Sequence, residues 1–129
     1  MINGFDEETA PLTDKEKELL PFIISLLETH KGKEKAITSK TISYNILVQK
    51  YEKIDGPRIR KIINHIRQNG LVSCLIATSA GYYVAETEKE LLDYEESLNG
   101  RATAIWQIRG HIMRQREERF SRPTQGVLF

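Results

Sequence analysis

Between Arg58 and Gln68 the chain carries Arg58, Arg60, Lys61, Asn64, Arg67 and Gln68, side chains whose donors and acceptors suit nucleic acid. Arg and Lys reach phosphate oxygens or the guanine edge, and Asn and Gln can pair with adenine through two hydrogen bonds. The same stretch holds Ile59, Ile62, Ile63 and Ile66 at the spacing of one helix face. With Ile59 at zero and about 100° per residue, Asn64 falls at about 140°, Gln68 at about 180° and Lys61 at about 200°, opposite the isoleucines. Arg60 joins them at about 100°, with Arg67 (about 80°) and Arg58 (about 260°) at the flanks. An ordinary amphipathic helix with a basic solvent side has the same composition, so the surroundings must decide what this face is for.

Those surroundings are basic only locally. The chain has 129 residues, 19 Lys plus Arg against 18 Asp plus Glu, and a net charge of +1. Residues 31–85 hold ten basic and three acidic side chains, whereas residues 1–30 hold two and seven. Residues 86–96 are again acidic and residues 97–129 again basic. No acidic residue occurs between Asp55 and Glu86. A surface potential follows the local block and not the average, so the near-neutral total does not exclude a polyanionic partner.

The elements that must position this helix are legible from caps and periodicity. Thr13-Asp14-Lys15-Glu16 reads as a capping box that opens a first helix, with Leu19, Leu20, Phe22, Ile23, Ile24, Leu26 and Leu27 following. That apolar band is wider than one stripe and predicts burial on more than one side; Pro21 within it predicts a kink or restart. Lys31-Gly32-Lys33 ends the segment. A second helix is expected over about Ser39–Gln49, capped by Thr38 or Ser39, with Ile42, Ile46 and Leu47 turned inward. Asp55-Gly56-Pro57 starts the third, which Asn69-Gly70 terminates. Leu71–Thr78 and Tyr82–Ala85 read as a hairpin about the Ser79-Ala80-Gly81 turn.

Thr87-Glu88-Lys89-Glu90 is a second capping box, and a helix of about 30 residues should follow, weakened at Gly100 and Gly110. Leu91, Leu98, Ile105 and Ile112 recur every seven residues, with Tyr94 and Ile108 in the intermediate register, as in a coiled-coil seam or helix pair. Arg101 and Gln115 interrupt the seam. The fold class expected is therefore mainly α with a short β-hairpin. Residues 1–12 are an extended or disordered N-terminus and 13–86 form a winged helix-turn-helix domain. Residues 87–119 form a long helix for dimerisation or fold-back, and 120–129 form a flexible tail. In a winged helix-turn-helix the third helix enters the major groove and the hairpin touches the flanking backbone.

The stretch from ITSKTISYNI through GPRIRKIINHIRQNGLVSCLIATSAGYYVAETEKELLDYEESL resembles phage and prophage winged-helix proteins of the replication-associated kind. The likeness covers about residues 37–98 and rests on the IRKIINHIRQNGLV junction and the GYYVA return strand. It implies the winged-helix fold and, with it, binding of double-stranded DNA. The final residues, Gln125-Gly126-Val127-Leu128-Phe129, resemble a bacterial sliding-clamp-binding peptide, a Gln, two variable positions, then Leu-Phe. That resemblance implies a hydrogen bond from Gln125 at the mouth of the clamp's pocket, with Leu128 and Phe129 buried in it. Gly126 stands where family members often carry Leu or Met, which implies weaker binding. The alternative is a tail whose Val127, Leu128 and Phe129 cover apolar surface on this protein or its twin.

Other chemistry finds no footing. Cys74, His30, His65 and His111 are too far apart in sequence for a structural zinc site, and Cys74 lies in a segment read as strand, as a small core or surface residue. No phosphate-binding glycine loop occurs. The expectation is a non-enzyme with no metal and no cofactor. No apolar run spans a membrane, and the acidic N-terminus and single thiol suit the cytoplasm. The function expected is a DNA-binding accessory protein of phage-type replication, tethered to the sliding clamp by its tail. The alternatives are a transcriptional regulator dimerised through 87–119, or an interaction module that inhibits a host replication protein.

Overall fold

A computed structural model of the chain describes residues 10–121. Among these residues the protein is mainly helical with one small antiparallel hairpin: α1 (Asp14–Glu28), α2 (Ser39–Lys50), α3 (Gly56–Gln68), β1 (Leu75–Thr78), β2 (Gly81–Val84) and α4 (Glu88–Phe120), with a 3₁₀ turn at Lys33–Lys35. The chain divides into two compact units between Leu91 and Leu92.

Local chemistry explains where the helices begin. The Thr13 hydroxyl accepts from the Glu16 N–H at 3.2 Å and the Glu16 carboxylate accepts from the Thr13 N–H at 2.8 Å, the reciprocal capping box. Thr38 caps α2, and Asp55 caps α3 by accepting from the Arg58 N–H at 3.0 Å, with Pro57 inside the first turn. Thr87 and Glu90 repeat the reciprocal arrangement at the start of α4.

Leu19, Ile23 and Leu27 of α1 pack with Ile42 and Ile46 of α2, Ile59, Ile62, Ile63 and Ile66 of α3, and Ile37, Ile54, Val72 and Leu75 from the connections and hairpin. Burying such aliphatic side chains contributes about 1.5–3 kcal/mol each, and this cluster is the main source of stability in the first unit. Flanking Leu20, Phe22, Ile24 and Leu26 are half-buried against it, which accounts for the wide apolar band on α1. α1 runs on through Pro21 without a restart. Pro21 lies on the exposed side, so the missing N–H is lost where water can satisfy the orphaned carbonyl, while the buried stripe on the other side holds the helix together.

The hairpin pairs Ile76 with Tyr83 and Ala77 with Tyr82. Its second strand is also paired on its other edge: Ile37 and Tyr82 exchange backbone hydrogen bonds at 2.9 and 2.8 Å, and Gly32 N–H donates to the Val84 carbonyl at 2.9 Å. Gly81 (φ 127°) is required there, because a Cβ would lie 2.6 Å from the Ile37 carbonyl oxygen.

Several expectations need correction. β1 begins at Leu75 and not at Leu71, since Gly70 and Cys74 both take positive φ (61°) and the intervening chain is turn. Cys74 is accordingly an exposed turn residue outside the ladder, not a strand residue. Leu47 is 47% exposed, because Ile42 and Ile46 already fill the buried side of α2. α4 continues through Phe120, one residue beyond the expected helix.

Candidate nucleic-acid interface

α3 is amphipathic by necessity: Ile59, Ile62, Ile63 and Ile66 are each essentially excluded from water, and this fixes its rotation about its own axis. What that rotation presents is not symmetric. Arg58 and Lys61 lie on the side that faces the N-terminal turn of α1. There the Glu16 carboxylate accepts from Arg58 Nε at 2.8 Å through one oxygen and from Lys61 Nζ at 2.7 Å through the other. The Glu16 and Lys61 side chains are 1% and 7% exposed, and that of Arg58 is 30% exposed.

Burial by itself raises the pKa of Glu16, but hydrogen bonds from Arg58, Lys61 and the Thr13 N–H outweigh it and hold the carboxyl at about 2. Glu16 therefore has two duties, capping α1 and neutralising the cations of α3. Lys61 does not belong to the open face, because its side chain is buried against the first turn of α1, where its ammonium meets the buried Glu16 carboxylate. Arg58 is half-committed to the same anion.

The face left to solvent is narrower and turned toward the other flank. Arg60, Arg67 and Gln68 are exposed and Asn64 is half-exposed. These occupy an arc of about 80–180° from Ile59, which still combines two guanidiniums with two amides. The six residues that spacing groups together thus separate: Arg60, Asn64, Arg67 and Gln68 share an accessible surface, while Arg58 and Lys61 join a structural cluster with Glu16. Spacing does not identify Glu16 as their partner, because it lies 42 residues from Arg58. Its capping-box position is legible in the chain, but its second role is not.

The hairpin adds little charge to this surface. No Lys or Arg occurs between Arg67 and Lys89, and the turn offers only hydroxyls, with Thr78 Oγ1 accepting from the Ala80 N–H at 3.2 Å. Lys40, Lys50 and Lys53, on α2 and the connection to α3, are the exposed cations nearest in sequence. On the outward side of α2, Tyr44, Leu47 and Val48 are exposed at i, i+3 and i+4, a short apolar stripe, and the exposed Tyr51 follows as the helix's left-handed C-cap.

Among the described residues no cluster of His, Cys, Asp and Glu could hold a metal, and no helix is long and apolar enough to cross a membrane. Gln125, Leu128 and Phe129 lie outside the described residues. No family model, curated protein or solved structure matches the chain.

Proposed function

We propose that the protein binds double-stranded DNA through the outer face of α3, in a winged-helix arrangement, as an accessory factor of phage-type replication. The observation that carries this reading is the set Arg60, Asn64, Arg67 and Gln68 on one exposed face of a helix whose rotation is fixed by its isoleucines. Guanidinium groups supply phosphate and guanine contacts, and the amides suit adenine. The order α1, α2, α3 and hairpin, with Ile37 pairing on the free edge of β2, is compatible with a winged helix. The hairpin's lack of basic side chains assigns most of the phosphate grip to α3 and the α2 lysines. The Gln125-Gly126-Val127-Leu128-Phe129 sequence would tether this DNA-binding unit to a sliding clamp.

The test is fluorescence anisotropy of a labelled duplex over a salt series. Binding should weaken steeply with salt, because each neutralised phosphate releases counterions. Absence of salt-dependent duplex binding by the folded protein would end the DNA reading. A second reading, a dimeric transcriptional regulator, is favoured by one observation, the exposed heptad stripe of α4. Protection of two half-sites about one helical turn apart, without clamp binding, would select it.

A further inference from the structure

α4 is 33 residues long and none of its side chains is buried. Leu98, Ile105, Ile108 and Ile112 are 38, 66, 61 and 58% exposed, although they follow the spacing of a helix–helix seam. Gly100 and Gly110 lower the helix propensity, so propensity alone gives this helix little support. A seam of this kind requires a second helix, and the charges along α4 specify which.

The first part of the helix, residues 88–96, carries Glu88, Glu90, Asp93, Glu95 and Glu96 against Lys89. The last part, residues 109–119, carries Arg109, Arg114, Arg116 and Arg119 against Glu117 and Glu118. Two copies side by side in parallel would set acidic end on acidic end and basic on basic. Reversed, each acidic segment lies along a basic one.

We propose that α4 pairs with α4 of a second copy of this chain, antiparallel, with the two-fold axis passing level with residue 103. In that register Leu98 meets Ile108 of the second copy and Tyr94 meets Ile112. Ile105 meets Arg101, whose aliphatic stem covers it while the guanidinium leaves at the edge. Ala102 faces Ala102 on one flank of the axis and Ala104 faces Ala104 on the other, small side chains that permit close approach. Glu95 lies opposite Arg109, which is already held over the Trp106 ring at 4.9 Å. The parallel alternative sets Glu90 against Glu95 and stacks Arg101 on Arg101, whereas the antiparallel register sets Glu88 beside Arg116 as well as Glu95 beside Arg109, with one like pair, Glu90 and Glu118. This pairing goes beyond the DNA-binding reading and does not depend on it.

The experiment uses the full chain in a Cys74→Ser background without nucleic acid, and compares Ala102→Cys with Leu98→Cys under oxidation. In the antiparallel pair the two residues at 102 adjoin across the axis, whereas those at 98 are separated by about 15 Å along it. Ala102→Cys should yield a disulfide-linked dimer and Leu98→Cys should remain largely uncrosslinked, with helix content by circular dichroism matching the parent. Sedimentation equilibrium of the Cys74→Ser parent should show a dimer that weakens with salt. Crosslinking at 98 and not 102 would overturn the orientation, and comparable crosslinking at both would overturn the single register. Crosslinking at neither position would overturn the register. A parent that sediments as a monomer at micromolar concentration would overturn the pairing itself and leave the stripe to a helix of another protein.

Discussion

Lys61 of α3 donates to Glu16 of α1 across 2.7 Å, in a place closed to solvent, and Arg58 occupies the carboxylate's other oxygen. Two cations that composition would credit to a binding surface are thus partly or wholly committed to joining two helices.

Removing one member of that cluster should be costly. Lys61→Ala leaves the buried Glu16 carboxylate with Arg58 and the Thr13 N–H, and breaking a buried pair typically costs about 3–5 kcal/mol. The residual bond to Arg58 places the expectation at the lower end. Joint replacement, Glu16→Leu with Lys61→Met, should recover part of the loss, because no fully buried charge is left unpaired and Arg58, 30% exposed, can turn to water, while the Thr13 N–H still loses its acceptor. Urea midpoints decide it; an unchanged midpoint for Lys61→Ala would show that the cluster contributes nothing.

The same carboxylate makes stability depend on pH. Its folded pKa of about 2 lies below the ordinary 4.5, so the contribution is present in full above 4.5 and disappears as pH falls through about 2. A depression of this size corresponds to roughly 3 kcal/mol. Glu16→Gln should be less stable near neutrality and lose less on acidification than the parent. Parallel acid-induced losses in both proteins would refute the assignment.

Arg60→Ala combined with Arg67→Ala should weaken duplex binding and reduce the slope of log K against log salt by about 0.9 for each phosphate no longer neutralised. Folding stability should move by no more than about 0.5 kcal/mol per substitution at these exposed positions. Lys61→Ala, once folded, should leave the salt slope unchanged. If it lowers the slope as much as the arginine variants do, Lys61 reaches DNA after all.

Deleting Gln125–Phe129 should abolish capture by a bacterial sliding clamp and leave duplex affinity intact. Equal capture with and without these residues would remove the tether.

At Gly81 the expectation is mechanical. Gly81→Ala drives a Cβ against the Ile37 carbonyl oxygen at a φ of 127°, and strain of this kind costs about 1–3 kcal/mol. A thermal midpoint equal to the parent's would show that the edge pairing at Ile37 yields.

Much of the first unit is readable from the chain alone, because caps and periodicity are local. The Thr13–Glu16 box, the Asp55 cap, the four isoleucines of α3 and the Thr87–Glu90 start of α4 all lie where spacing places them. Spacing misplaces the start of β1 because the apolar pairs Leu71-Val72 and Leu75-Ile76 read as one strand, whereas the positive φ at Gly70 and Cys74 makes the first pair part of a turn. It also turns Leu47 inward, because helix periodicity names an apolar position without saying whether another element covers it.

Where each helix starts, which stripe of α3 turns inward, and that a basic segment lies between acidic ones are written in the chain. Those properties depend on neighbours within a turn or two. That Glu16 meets Arg58 and Lys61, and so that Lys61 is buried while Arg60 and Arg67 stay exposed, is set by how α1 and α3 pack. A helical wheel places Lys61 opposite the core, but its long side chain reaches the Glu16 carboxylate in the first turn of α1 and is buried there. Charge on a face can be counted from the chain; whether water or a carboxylate neutralises it depends on contacts between residues far apart in sequence.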